Sequence, residues 1–302
     1  MPAVCEVLGI LLKQNPQIFC NGCAAHVLNL LIQDICTMGN NEETIEKATA
    51  VAKFIRSRNA LSVAFRKAQK NHMYKKFVTL PMKIRWYSQH ECLCNLVENE
   101  DISQQLCATK SLMQNYQNSD KLQTFIDTVT VDSFWDGCRV LISKIRLPSK
   151  LIGDAESDKA SISRVYMYFK ELLMQDVYSD DKLYTINRRW DFIHTAYMGF
   201  AYVLNPKTKG GLGMMGSDLE YTYAELQNYL IDGEQQVFEE EFQQFVQFVA
   251  EPGTKYDDLF SRESFHARAW WFVHGRNKFP VSSNLSCKVF AILISSTASE
   301  CV

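Results

Sequence analysis

Chain breakers are scarce in these 302 residues, with seven prolines and thirteen glycines. That excludes collagen-like and low-complexity readings and leaves long stretches free for helix. No apolar run reaches the roughly 18 residues that a membrane span needs. The first such run, Met1 to Leu12, is broken by Glu6 and lacks the basic start and cleavage site of a secretory signal. Ten cysteines are too few for a disulfide scaffold of this length and point to free thiols in a reducing, intracellular compartment. Common catalytic signatures are missing too: there is no G-x-x-x-x-G-K-[ST], no G-x-S-x-G and no H-E-x-x-H. What is present, 47% hydrophobic and 22% charged residues, is the composition of a globular protein of one large domain or two.

Charge of one sign is absent from two segments. Between Lys53 and His90 there is no Asp or Glu, against ten basic residues: Lys53, Arg56, Arg58, Arg66, Lys67, Lys70, Lys75, Lys76, Lys83 and Arg85. Between Asp218 and Asp258 the only basic residue is Lys255, while eleven acidic ones crowd the stretch. The net charge of −2 is therefore the sum of two opposed arms. A basic arm can present a positive face to phosphates even on a neutral protein. Pairing of the two arms with each other is the competing reading.

Apolar spacing predicts a mainly helical chain. Helices are expected over Pro2 to Lys13, Ala24 to Cys36, Glu42 to Lys70, His90 to Glu98, Asp120 to Thr130, Phe134 to Ile145, Ser161 to Val177, Leu183 to Leu204, Glu234 to Ala250, Ser264 to His274 and Leu285 to Ile294. Ile18 to Cys20, a short apolar run between turn signals, is the one strand candidate. A polar, glycine-rich loop covers Lys207 to Ser217.

Few residue patterns carry chemistry by themselves. Gly211-Leu-Gly213-Met-Met-Gly216 matches G-x-G-x-x-G, but what precedes it reads as helix and loop, whereas a dinucleotide site needs a strand running into the glycines. Cys20, Cys23 and His26, like Cys92 and Cys94, have metal-ligand spacing without the second matching pair of a structural zinc site. Asp191 and His194, three apart on a helix, are a candidate carboxylate–imidazole pair or an ordinary helix-surface pair. Trp86, set among basic residues, is either a stacking platform for an unpaired base or a core residue.

Four stretches, in order, resemble one family. Cys23-Ala-Ala-His26-Val-Leu-Asn29-Leu resembles the C-x-x-H-x-L-N-L signature of hAT-type DNA transposases. Pro81-Met-Lys-Ile-Arg85-Trp86-Tyr-Ser88 resembles the P-x-x-x-R-W-x-S element that follows it. Asp191-Phe-Ile-His194 with Leu204-Asn205-Pro206 resembles the D-x-x-H…L-N-P stretch. Trp270-Trp271…Phe279-Pro280…Ser299-Glu300 resembles the C-terminal dimerisation region.

The resemblance implies a large all-helical insertion domain attached to an incomplete ribonuclease-H-like α/β core. Residues 1–38 would be the core remnant with the C-x-x-H element, 39–255 the insertion and 256–302 a truncated dimerisation segment. Intact relatives cleave and transfer DNA strands with two divalent ions, magnesium or manganese, held by two aspartates and a glutamate. Met1 resembles the end of the stretch that carries the second aspartate, so neither aspartate has a match. Glu300 matches the third acid, with Cys301 where an arginine is expected. One glutamate cannot hold two hard ions. The expectation is thus a catalytically inactive, transposase-derived protein without a cofactor, nuclear or else cytoplasmic, with no membrane partner. It would contact DNA through residues 53–90, with His26, Arg85 and Trp86 near the former active site. It would pair with a second copy through Trp270, Trp271, Phe279, Pro280 and Leu293, or else those side chains close onto the chain's own core. The alternative is a pure protein-interaction remnant that binds no DNA.

Overall fold

The computed structural model describes residues 22–70, 76–82, 85–116, 120–157, 160–174, 180–230, 233–251, 253, 256–292 and 294. Among them the chain is helical, with no strand and one isolated bridge, Met82 to Arg85. The predicted helix over Pro2 to Lys13 and the strand candidate over Ile18 to Cys20 lie outside the described residues, as do Leu293 and Glu300.

The chain divides into two compact units. One takes the described residues within 28–152 and 176–185, the other those within 153–175 and 186–302 with the first residues up to Val27.

The first unit begins in α1 (Ala24–Cys36), where Leu28, Leu31, Ile32 and Ile35 are fully buried at spacings of three and four. Then come α2 (Asn40–Arg56), α3 (Asn59–Gln69), α4 (Tyr87–Glu98), α5 (Glu100–Cys107), α6 (Lys110–Met113), α7 (Asp120–Val129) and α8 (Asp132–Ala155). α2 packs on α3, α4 and α7, and α5 on α3 and α7. Phe54 of α2 stacks on Phe125 of α7, with ring centroids 4.5 Å apart, and both are buried. The single helix expected over Glu42 to Lys70 is two. It breaks at Ser57–Arg58, where Arg58 takes extended backbone angles. The Ser62 hydroxyl donates to the Ile55 carbonyl at 2.7 Å, supplying a partner that the helix end lacks.

The second unit holds α9 (Ile162–Leu173), most of α10 (Asp180–Ile193), α11 (Ala196–Val203), α12 (Asp218–Leu226) and α13 (Glu234–Ala250). It ends in α14 (Asp257–Ser261), α15 (Ala267–Trp270), a π-helical turn over Trp271–Gly275, α16 (Arg276–Lys278) and α17 (Pro280–Val289). α11 is the centre: it packs on α9, α12 and α17, and every residue from Met198 to Leu204 is buried. The approach of α12 needs a glycine, because a Cβ on Gly199 would sit 2.0 Å from Thr222 Oγ1.

Phe279, the residue before α17, supplies no capping side chain. Glu241 of α13 takes that role. One carboxylate oxygen accepts the Val281 N–H at 3.2 Å and the other the Ser282 N–H at 2.8 Å. Pro280 at the first helical position has no N–H to satisfy, and a buried anion suits the positive end of the helix dipole.

Candidate nucleic-acid interface

Residues 76–82 and 85–86 precede α4 without regular secondary structure apart from the Met82–Arg85 bridge. The loop is closed by Ser88, a buried side chain at the start of the helix. Its hydroxyl accepts the Met82 N–H at 2.8 Å and donates to the Arg85 carbonyl at 2.6 Å. The Trp86 N–H points the other way and is accepted by the Asn29 side-chain oxygen of α1 at 2.8 Å. Two of the motif stretches, 57 residues apart at this bond, are thus joined directly.

Arg85 is exposed, and its guanidinium donates to the Tyr87 hydroxyl at 3.2 Å. Trp86 is half-buried, between the two environments expected for it. His26 is half-buried on α1, three residues before Asn29. Asn29 and Ser88 belong to the quoted motifs, but neither role was assigned from sequence. Their bonds run to backbone groups, which leave no trace in residue spacing.

The basic arm is held against aromatic rings. The Arg66 and Arg56 guanidinium groups lie 4.4 and 5.5 Å from the centre of the Phe77 ring, and Arg56 also donates to the Val78 carbonyl at 2.8 Å. Arg58 lies 3.7 Å from the Phe54 ring centre and 5.6 Å from that of Tyr116. Ring contact holds these cations in place, and Arg58 also donates to the Ser57 hydroxyl at 3.0 Å. Lys75 and Lys83 lie outside the described residues.

The D-x-x-H stretch is organised differently from the expected pair. The carboxylate at ion-pair distance from His194 is Asp218, with Nε2 and Oδ2 3.6 Å apart, while Asp191 is exposed. Tyr166 donates to the same Asp218 oxygen at 2.8 Å, and Trp190 stacks on the imidazole with centroids 4.2 Å apart. Burial pushes the His194 pKa down, and the charges of Asp218 and Asp191 push the other way. The L-N-P stretch is a junction. Asn205 accepts the Lys207 N–H at 3.1 Å and donates to Ser163 at 2.9 Å, while the Leu204 carbonyl accepts the Trp271 indole N–H at 2.7 Å. The run Gly211 to Gly216 follows α11 and a 3₁₀ turn; Gly211, Gly213 and Gly216 all have positive φ.

Trp270, Trp271 and Phe279 are buried in the core of the second unit, where Phe245 of α13 packs against all three rings. Pro280 is exposed. The neighbouring apolar side chains left exposed are Phe272 at 62% and Val273 at 60%.

Burial lifts the thiol pKa of Cys36, Cys92 and Cys138 to about 12. Cys94 Sγ lies 3.6 Å from His90 Nε2. No group of three or more His, Cys, Asp or Glu that could hold a metal ion occurs among the described residues, and no helix among them is long and apolar enough to cross a membrane.

No curated protein matches the chain. Residues 22–130, about a third of the chain, match the family model of the ZBED1 RNase-like helical domain. The match takes in His26, Asn29, Arg85, Trp86 and Ser88. That domain is of the hAT-derived transposase family, and the similarity supports a hAT-like, transposon-derived origin for this chain.

Proposed function

We propose that this transposase-derived chain binds DNA through the Arg85–Trp86 loop and its basic surroundings, pairs with a second copy, and does not cut DNA. The observation that carries the DNA reading is the Asn29–Trp86 bond. It anchors the loop to α1 and leaves the Arg85 guanidinium exposed beside a partly accessible indole. A guanidinium bonds a phosphate bidentately, and an indole face stacks on an unpaired base. His26, on the same helix as Asn29, is assigned a phosphate contact. Exposed Lys53, Arg56, Arg66, Lys67, Lys70 and Lys76 add sequence-independent attraction.

The test is anisotropy of labelled generic DNA, single- and double-stranded, across salt. We expect affinity to fall by about tenfold or more between 50 and 200 mM salt, as for several phosphate contacts, and to fall with Arg85→Ala at fixed salt. Absence of binding, or binding indifferent to salt and to Arg85, would favour the protein-interaction remnant instead.

Inactivity rests on the acids. Within residues 1–302 only Glu300 matches one of the three that the resemblance calls for, and two divalent ions need several fixed oxygen ligands, so these residues alone are expected not to cut DNA. Supercoiled plasmid should stay intact with magnesium or manganese; nicking that vanishes in Glu300→Ala would refute this. The ribonuclease-H-like remnant is assigned to residues 1–38, and nuclear location follows from the DNA partner. For self-association, the exposed Phe272 and Val273 are the apolar side chains that the C-terminal segment offers among the described residues, since Trp270, Trp271 and Phe279 are buried. Sedimentation of Phe272→Asp should show a weaker dimer; a concentration-independent monomer in the parent would sink that part.

A further inference from the structure

The first unit carries a groove apart from the Arg85–Trp86 loop, sharing Lys53 with the basic surroundings invoked for DNA. It lies between α2 and α7, encloses about 880 Å³, and is within the size range of ligand sites. Its floor is the stacked pair Phe54 and Phe125, with Ile45 and Val51. Its walls are small: Thr49, Ala50, Ser57, Thr124 and Thr128. Small walls let another backbone come close.

Charge is distributed unevenly along it. Lys53, Arg58 and Lys121 line one end. Lys53 and Lys121 are exposed and have no ion-pair partner among the described residues. Glu46, about two turns before Lys53 on α2, also lines the groove, and a neighbouring pocket that shares Thr124 and Thr128 carries Glu43 and Asp127, with Lys47 there already paired to Glu43 at 2.6 Å. A uniform polyanion laid along the groove would meet these carboxylates. An occupant with negative charge at one end only would not.

From Ile45 to Ser57 the α2 side of the groove is about 18 Å long at 1.5 Å per residue, which matches five or six residues of extended chain. We propose that the groove docks a short acidic peptide segment. Its carboxylates meet Lys53, Arg58 and Lys121, and its uncharged residues lie over Thr49, Ala50 and Thr124. The inference is independent of Arg85 and Trp86 and stands whether or not the loop binds DNA.

The experiment uses the full chain and four fluorescein-labelled hexapeptides: LAADEE, its reversal EEDAAL, and their uncharged counterparts LAANQQ and QQNAAL. One acidic peptide should bind, with its uncharged counterpart weaker by about tenfold or more. The double variant Lys53→Gln/Lys121→Gln should weaken it similarly. Ala50→Trp fills the trough without changing charge and should abolish peptide binding while leaving DNA affinity unchanged. Matching far-ultraviolet circular dichroism shows that each variant is folded, and Ala50→Ser serves as the size control. The proposal is overturned if no acidic peptide binds at about 1 mM. It is equally overturned if Ala50→Trp leaves binding intact, or if a single-stranded thymidine hexamer competes as well as the acidic peptide does.

Discussion

Asn29 accepts the backbone N–H of Trp86 at 2.8 Å, across 57 residues of chain. The bond explains why a polar side chain sits on a helix whose neighbours Leu28 and Leu31 are fully buried. It also gives the arginine–tryptophan loop a fixed attachment, with Ser88 closing its other side.

Asn29→Ala strands the Trp86 N–H. We expect a loss of about 1–2 kcal/mol, the usual cost of an unpaired amide that water reaches poorly, and a lowered urea midpoint. Asn29→Asp keeps an acceptor and should lose less. If Asn29→Ala unfolds at the parent's midpoint, the attachment contributes nothing.

Glu241→Ala removes both acceptors at the first turn of α17. The cost should be about 1–3 kcal/mol, since two charge-assisted bonds at a helix N-terminus go together. Glu241→Gln, with one acceptor and no charge, should fall between. Equal midpoints for Glu241→Ala and the parent would show that the cap is dispensable.

Acid should weaken the fold before its carboxylates titrate. Burial lowers the pKa of His194 below its ordinary 6.5, and burial and then the charge of Arg146 do the same for His90. A folded-state pKa below the unfolded one means that the unfolded chain binds more protons in between. The stabilising contribution is complete above about pH 6.5 and is lost as pH falls through the depressed values. The urea midpoint should therefore drop between pH 7.5 and 5.5, less steeply in His194→Gln. Parallel profiles for the two proteins would contradict the assignment.

Gly199→Ala should be costly out of proportion to one methyl. The added Cβ would meet Thr222 Oγ1 at 2.0 Å, and overpacking of this kind costs about 1–3 kcal/mol. Thr222 Oγ1 is buried with no hydrogen-bond partner among the described residues, so Thr222→Ala removes the obstacle cheaply. In a double-variant cycle the glycine substitution should be milder in the Thr222→Ala background. Additive effects would mean that the two helices separate elsewhere.

Helices with a regular apolar period were legible from sequence. Ala24–Cys36 and Glu234–Ala250 match their expected bounds. Boundaries set by long-range bonds were not. The stretch Leu183 to Leu204 splits at His194–Thr195, where Thr195 turns to extended angles, although apolar residues continue on both sides. α12 was missed because its short run follows a glycine-rich loop and buries only Thr222 and Leu226. At the candidate interface, Arg85 and Trp86 were named through family resemblance. The residues that hold them, Asn29 and Ser88, act on backbone groups and have no spacing rule to betray them. Asp218, the carboxylate facing His194, is 24 positions further along the chain, outside the reach of any helix-pair rule.

The carboxylate of Glu241 has a bearing on how this protein can be divided. A fragment beginning at residue 256 would carry the whole of Pro280–Val289 and leave its cap behind on α13. Two amides at the helix start would then be open to water, and Trp271 and Phe279 would lose the Phe245 ring that covers them. Stickiness measured on such a fragment would report uncovered core, not a natural meeting surface between copies. A minimal piece for studying association must begin before Glu234.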